Sequence, residues 1–262
     1  MKNVVITGST SGIGYGLAES FLSKGCSVVV SGRSAEKLDT TYKSLTEKYG
    51  KEHVFSVLCD VTNLDQVQAL WNAAVGQFGK VDIWINNAGV AHAETEISDY
   101  PTELVSDVID TNVSGAIYGS IVALKGMNGQ DFGSIYNMEG LGSDGRIIKG
   151  MALYGTSKSA LAYLTKSMTK ETKGTPIIVG GIRPGMVATK LVARQYEGHP
   201  EDWERVKRIF NILSERVEIV TPWIAKKVLN NRKNGVIISY LTTPKLIKRF
   251  ILAPFVKRNV FE

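Results

Sequence analysis

Tyr154 and Lys158 stand four residues apart in a run whose apolar positions, Leu161, Leu164 and Met168, continue at helical spacing. Positions i and i+4 share one face of a helix, so the phenol and the ammonium point together. A phenol with a pKa near 10 is a poor acid–base catalyst at neutral pH. A neighbouring cation favours the phenolate and eases proton exchange with a carbonyl oxygen. Taken alone, a Tyr and a Lys at this spacing are a common surface pair.

A second constellation opens the chain. Thr7-Gly8-Ser9-Thr10-Ser11-Gly12-Ile13-Gly14 follows a Val- and Ile-rich run and leads into a helical stripe of Ile13, Leu17, Phe21 and Leu22. Glycines permit a tight turn and let a phosphate approach the backbone, while the helix N-terminus offers free N–H groups and a positive dipole end. The three-residue gap between Gly8 and Gly12 differs from the common dinucleotide fingerprint, and no Gly-Lys-Ser/Thr follows to make a P-loop. An ordinary strand–helix turn is the competing reading. The next strand ends at Ser31-Gly32-Arg33-Ser34. An acid there would bind the adenosine ribose of NAD, whereas a guanidinium suits the 2′-phosphate dianion of NADP(H). Ser9, Arg33 and Ser34 are the expected phosphate contacts; a solvated surface arginine is the alternative. Asp60, followed by Val61, is placed to receive the adenine amino group. Asn87-Ala88-Gly89 ends the fourth strand, where small residues let a cofactor lie close to the backbone.

The elements that must hold these residues are legible from hydrophobic pattern. Asn3 to Thr7, Ser27 to Ser31, Val54 to Leu58, Val81 to Ile85, Ser134 to Asn137, Ile177 to Gly181 and Val236 to Ser239 read as strands of nearly continuous hydrophobicity. Strands buried on both faces look like this, as in a parallel sheet covered by helices. Amphipathic stretches lie between them, so the expected fold is a doubly wound α/β sheet. No linker interrupts the chain, which reads as a single domain over residues 1–262.

With 262 residues, the chain has ample length to bury a core without staples. Two cysteines, Cys26 and Cys59, are too few for a disulfide framework or a zinc site, and His53 and His199 have no companion ligands, so no metal is expected. The net charge of +6 is uneven: Pro222 to Glu262 carries nine Lys or Arg against one acid, and the rest is near neutral. That argues against a nucleic-acid surface. No apolar run reaches the roughly 18–20 residues of a membrane span. The N-terminus enters the first strand directly, and a cytoplasmic protein is expected.

The order of TGxxxGxG, Asp60, Asn86-Asn87-Ala88-Gly89, Asn112 in Asp110-Thr111-Asn112-Val113, YxxxK and Pro184-Gly185 resembles the short-chain dehydrogenase/reductase family over about residues 2–240. The resemblance implies a three-layer Rossmann-type domain with a seven-stranded parallel sheet, a dimeric or tetrameric assembly, and a tetrad of Asn, Ser, Tyr and Lys. By motif, Tyr154 is the general acid in reduction. Lys158 holds the nicotinamide ribose and lowers the Tyr pKa, and Asn112 orders a water in the proton relay. Pro184, Gly185, Val187 and Thr189 lie by the nicotinamide. The serine departs from the pattern. Where the family reads Asn-x-Ser-Ser, this chain reads Asn137-Met138-Glu139-Gly140-Leu141-Gly142-Ser143. Ser143, 11 residues before Tyr154, is the expected replacement at the substrate oxygen; a turn-capping role is the alternative. Glu139 reads as a second polar contact or a loop brace. This segment, with Arg183-Pro184-Gly185-Met186-Val187-Ala188-Thr189, resembles the chlorophyll(ide) b reductase branch, which reduces a formyl group with NADPH.

Residues 189–221 include Arg194, Tyr196, His199, Trp203 and Phe210 and read as a substrate lid, or as helices packed on their own domain. His92 reads as a loop histidine that faces the substrate or merely packs. Residues 242–262 form a basic tail, within which Lys245 to Arg258 mixes basic and apolar residues. It suits peripheral contact with a membrane, a neighbouring subunit, or its own domain. The expected function is NADPH-dependent reduction of a bulky apolar aldehyde or ketone. A catalytically weak NADP(H)-binding sensor or scaffold is the alternative.

Overall fold

The computed structural model describes residues 1–189, 192, 200–256 and 258–261. The apolar runs become β1 (Asn3–Ile6), β2 (Ser27–Gly32), β3 (Val54–Leu58), β4 (Ile83–Asn86), β5 (Gly133–Met138) and β6 (Ile177–Arg183). A short pair, β7 (Val187–Ala188) and β8 (Glu215–Arg216), precedes the last strand, β9 (Ile237–Ser239). The helices are α1 (Gly12–Leu22), α2 (Ala35–Tyr49), α3 (Leu64–Phe78), α4 (Thr102–Ile109), α5 (Gly115–Gln130), α6 (Ala152–Glu171), α7 (Pro200–Leu213), α8 (Val217–Asn230) and α9 (Thr243–Leu252).

Seven strands form one parallel sheet in the order β3-β2-β1-β4-β5-β6-β9. Side chains alternate across a strand, so each strand feeds two cores. Val4, Ile6, Val28 and Val30 face α1, α2 and α8 through Leu17, Phe21, Leu38, Leu45, Val220 and Ile224. Val5, Val29, Trp84 and Ile135 face α3, α5 and α6 through Leu70, Trp71, Ala123, Met127 and Met168. The result is the three-layer doubly wound domain that the pattern predicts.

Two local devices set the helices. Asn63 caps α3 by accepting the Gln66 N–H, and Gly79 ends that helix in the left-handed region. Gly16 lets α1 close on α8: a Cβ there would stand 2.4 Å from Val217 Cγ1. The strand order reverses at β1, between β2 and β4, and ligands in such sheets bind outside the carboxyl ends at that point. The β7–β8 pair was not legible in the sequence. It ties the Pro184-Gly185 turn to the start of α8.

Candidate active site

The carboxyl ends of β1 and β4 are riveted together by backbone and amide bonds. Asn87 Nδ2 donates to the Thr7 and Gly8 carbonyls at 2.9 and 3.0 Å. Thr7 Oγ1 accepts the N–H groups of Asn87 and Ala88 at 3.0 and 3.1 Å. Gly8 has φ +62° and Gly12 φ +55°, a region that glycine enters without strain. A Cβ on Gly14 would lie 2.4 Å from the Gly8 carbonyl oxygen, so the first turn of α1 rests directly on the loop. Gly8, Ser11, Gly12, Ile13 and Gly14 line a cleft of about 1560 Å³. That volume exceeds the usual 300–1,000 Å³ of a small-ligand pocket and leaves room for a dinucleotide and a second molecule.

At the β2 end, Arg33 and Ser34 line the cleft. Ser34 caps α2 by accepting the Lys37 N–H, and Arg33 pairs with Asp107 at 3.6 Å. Ser9 is placed otherwise than expected. It is fully buried, donates to the Ile6 carbonyl and accepts the Ser31 N–H at 2.8 Å, bracing β1 against β2 rather than facing a phosphate. Thr10 takes the cleft position instead, fitted against Gly32, where a Cβ would meet its methyl at 2.8 Å. Lys37, which the sequence reading passed over, also lines the cleft one turn into α2. Its signal was a second cation three residues after the Ser34 cap. Asp60, Val61, Ala88 and Gly89 line the cleft as expected positions, with Asp60 Oδ1 accepting from Thr62. Cys59 sits beside them, its thiol pushed up to about 11 by burial. Among the described residues, no cluster of His, Cys, Asp or Glu could hold a metal ion.

Tyr154 and Lys158 project from the first turns of α6 into the same cleft. Lys158 Nζ lies 5.7 Å from the Tyr154 ring centre and donates to the Met138 carbonyl at 3.1 Å. Burial alone pushes the Tyr154 phenol up to about 12, the opposite of the lowering expected from Lys158. Burial also lowers the Lys158 ammonium to about 8, a fall that the Glu139 charge opposes. A single π-turn, Asp110–Ser114, joins α4 to α5 and turns Asn112 inward. The Asn112 amide accepts the Val90 N–H and donates to the Val90 carbonyl and Ser157 Oγ, which fixes its side chain in the wall behind Gly89. Behind Gly89, a Cβ would meet Asn112 Oδ1 at 3.2 Å and Lys158 Nζ at 3.5 Å, which places the two side by side. Pro184, Gly185, Val187 and Thr189 close this end.

Ser143 is not brought to the reacting end. Its hydroxyl donates to the Gly140 carbonyl at 2.6 Å, closing a tight turn, and it does not line the cleft. The turn-capping alternative describes its place. The position opposite the phenol is Gly140, where a Cβ would stand 3.1 Å from Tyr154 Oη. Glu139 is the loop brace: its Oε2 accepts from Arg183 Nε at 2.6 Å, and Arg183 Nη2 donates to the Ser143 carbonyl at 3.0 Å. Arg183 faces the cleft and was not singled out, because its partner lies 44 positions away.

The remaining lining is mainly apolar: Ile147, Ile148 and Met151, Val206, Ile209, Phe210 and Leu213 of α7, and Leu241, Leu246 and Phe250, with Glu94, Asp144 and Arg146 among them. Arg194, Tyr196 and His199 lie outside the described residues. Trp203 packs on Phe210 and on Phe261 of the tail. The tail does contact its own domain. Arg249 and Arg258 both pair with Glu215, at 2.6 and 3.1 Å, and Lys245 lies over the Tyr240 ring. Its outer side exposes Ile247, Ile251 and Phe255. His92 is buried at the first turn of α6 and is not part of the cleft lining.

A family model described as short chain dehydrogenase matches residues 2–200. Chlorophyll(ide) b reductase NOL of Oryza sativa subsp. japonica is 34% identical over 256 residues, spanning 94% of this chain and 73% of that protein. The probable chlorophyll(ide) b reductase NYC1 of Arabidopsis thaliana is 32% identical over 94% of this chain, which spans only about half (52%) of that relative. Among solved structures, an actinorhodin polyketide ketoreductase with NADPH superposes with a TM-score of 0.80 at 27% identity, over 91% of this chain and 95% of that one.

Proposed function

The chain belongs to the short-chain dehydrogenase family and is an oxidoreductase by that membership, and on this premise we propose that it reduces a bulky apolar aldehyde or ketone with NADPH. One observation carries the reading. Tyr154 and Lys158 share a single cleft with the glycine-rich loop, and most of the rest of its lining is apolar. The glycine cradle fits a dinucleotide: Gly8, Gly12 and Gly14 line the cleft at the first turn of α1, where a pyrophosphate can approach the backbone. Arg33, Ser34 and Lys37 would hold the 2′-phosphate, and Asn87 to Gly89 with Pro184 to Thr189 would flank the nicotinamide. The bound nicotinamide supplies the hydride.

The chain's own residues handle the proton. With its phenol near 12, Tyr154 is protonated at neutral pH and ready to give its proton to the carbonyl oxygen. The Lys158 ammonium, cationic below about 8, stabilises the phenolate left behind. Asn112 stands beside Lys158 behind Gly89, where it would help order a water that restores the proton. Apolar side chains of α7 and α9 line the same cleft and would limit water around a bound carbonyl.

Gly140 favours a second reading, because no side-chain hydroxyl stands opposite the phenol. A chain of this kind would bind NADPH and turn nothing over. Following NADPH absorbance with a panel of aromatic, polycyclic and macrocyclic aldehydes decides between them, and chlorophyll b belongs in that panel because two relatives bear its name. Consumption of NADPH with the bulky members supports reduction. Tight binding without consumption across the panel supports the sensor.

A further inference from the structure

We propose that His92 is a positioning residue, which fixes the backbone of Tyr154 by accepting its N–H and releases it when the imidazole takes a proton. The proposal rests on Tyr154 as the proton donor. The first turn of any α-helix has N–H groups without intrahelical partners. In α6 the N-cap is Met151, which makes no side-chain cap bond. The caps come instead from the loop after β4. Leu153 N–H donates to the Tyr100 hydroxyl, and Tyr154 N–H donates to His92 Nε2, each at 3.2 Å. The other ring nitrogen, Nδ1, lies 2.6 Å from the Ala93 carbonyl oxygen. A carbonyl can only accept, so Nδ1 carries the hydrogen and the neutral ring offers Nε2 as a lone pair. Tyr100 sets its ring against the imidazole at 5.4 Å and 73°, holding this orientation.

A protonated His92 has no acceptor left for Tyr154. It would point a second donor at that N–H and set a cation against the positive end of the α6 dipole. The titratable residues in contact with it are Tyr100 ahead of α4 and Tyr154 on α6, with Glu94 two positions on in its own loop. The phenol belongs to the same residue whose backbone His92 holds, on a side chain with only two soft torsions, so a shift of that backbone is carried to Oη.

The test uses the full chain, His92→Gln and His92→Ala. The Gln side-chain carbonyl reaches the place of Nε2 and does not titrate. In the wild type, the 15N-labelled amide of Tyr154 should shift with acid along the same curve as kcat for an aldehyde that is turned over. His92→Gln should abolish both the shift and the acid limb while keeping kcat at neutral pH. His92→Ala should lower kcat about fivefold, in line with loss of a cap, and leave the KM for NADPH unchanged. An acid limb that persists in His92→Gln, or a Tyr154 amide that titrates alike in all three proteins, overturns the proposal. A wild type that turns over no aldehyde at any pH would instead defeat the reading of Tyr154, and the amide titration would still decide the His92 contact.

Discussion

The two sides of the cleft are held by different kinds of bond. On the β1–β2–β4 side the restraints are backbone geometry and short neutral hydrogen bonds: Gly8 and Gly12 at positive φ, Gly14 against the Gly8 carbonyl, Asn87 and Thr7 exchanging bonds. On the β5–β6 side and below it the restraints are buried charges: Glu139 with Arg183, and Glu215 with Arg249 and Arg258. The second kind can brace a turn such as 140–143 without any particular local sequence, because it acts through a distant partner. Such pairs are costly to break, since one partner leaves the other buried and uncompensated.

The largest expected effect separates chemistry from binding across this divide. Tyr154→Phe removes the proton donor and leaves the ring in place. Turnover should fall by about 10²–10⁴-fold, the usual worth of a positioned general acid, while NADPH affinity stays within experimental error of the wild type. Stopped-flow turnover and a fluorescence titration of NADPH measure the two arms. A Phe variant that still turns over at more than a tenth of the wild-type rate would remove Tyr154 from the reaction.

The next effect lies wholly on the other side. Arg33→Ala should weaken NADPH binding by about 10–100-fold, as expected for one lost charge-assisted contact, and barely change NADH. Equal losses for both cofactors would show that Arg33 serves Asp107 and not a 2′-phosphate. Because Lys37 stands nearby, Lys37→Ala should show the same selectivity at smaller size, and its absence would leave Arg33 as the sole discriminator.

The divide also explains what could be read without coordinates. The glycine loop, Asn87 to Gly89 and the Tyr154–Lys158 pair are encoded by spacing within a few residues, and all seven strands of the main sheet follow from hydrophobic runs. Ser9 was misplaced because spacing does not say which way a loop side chain turns, and burial between two strands claimed its hydroxyl. Ser143 was misplaced for a related reason: a hydroxyl that can close its own turn at 2.6 Å has a partner before any substrate arrives. Arg183, the Glu215 cluster and the His92 cap join residues 44, 34 and 62 positions apart, and no local pattern announces such pairs.

The smallest effect joins the two kinds of restraint at one atom. Glu139 braces the loop through Arg183, and its charge also opposes the burial that lowers Lys158 to about 8. Lys158 assists Tyr154 only as a cation, so kcat/KM, which reports the free enzyme, should fall as pH rises through that value. Glu139→Gln keeps a neutral acceptor for Arg183 and removes the carboxylate charge. The depression of Lys158 is then unopposed, its proton leaves at lower pH, and the alkaline limb of kcat/KM should move to the acid side. At pH 8 the variant should be about twofold to fivefold less active than the wild type, and the two should converge near pH 6, where Lys158 is cationic in both. A uniform loss at every pH would show that Glu139 acts only through the loop it holds. A limb that moves to higher pH would reverse the sign of its influence on Lys158, and with it the account of what a buried carboxylate does beside the Tyr154–Lys158 pair.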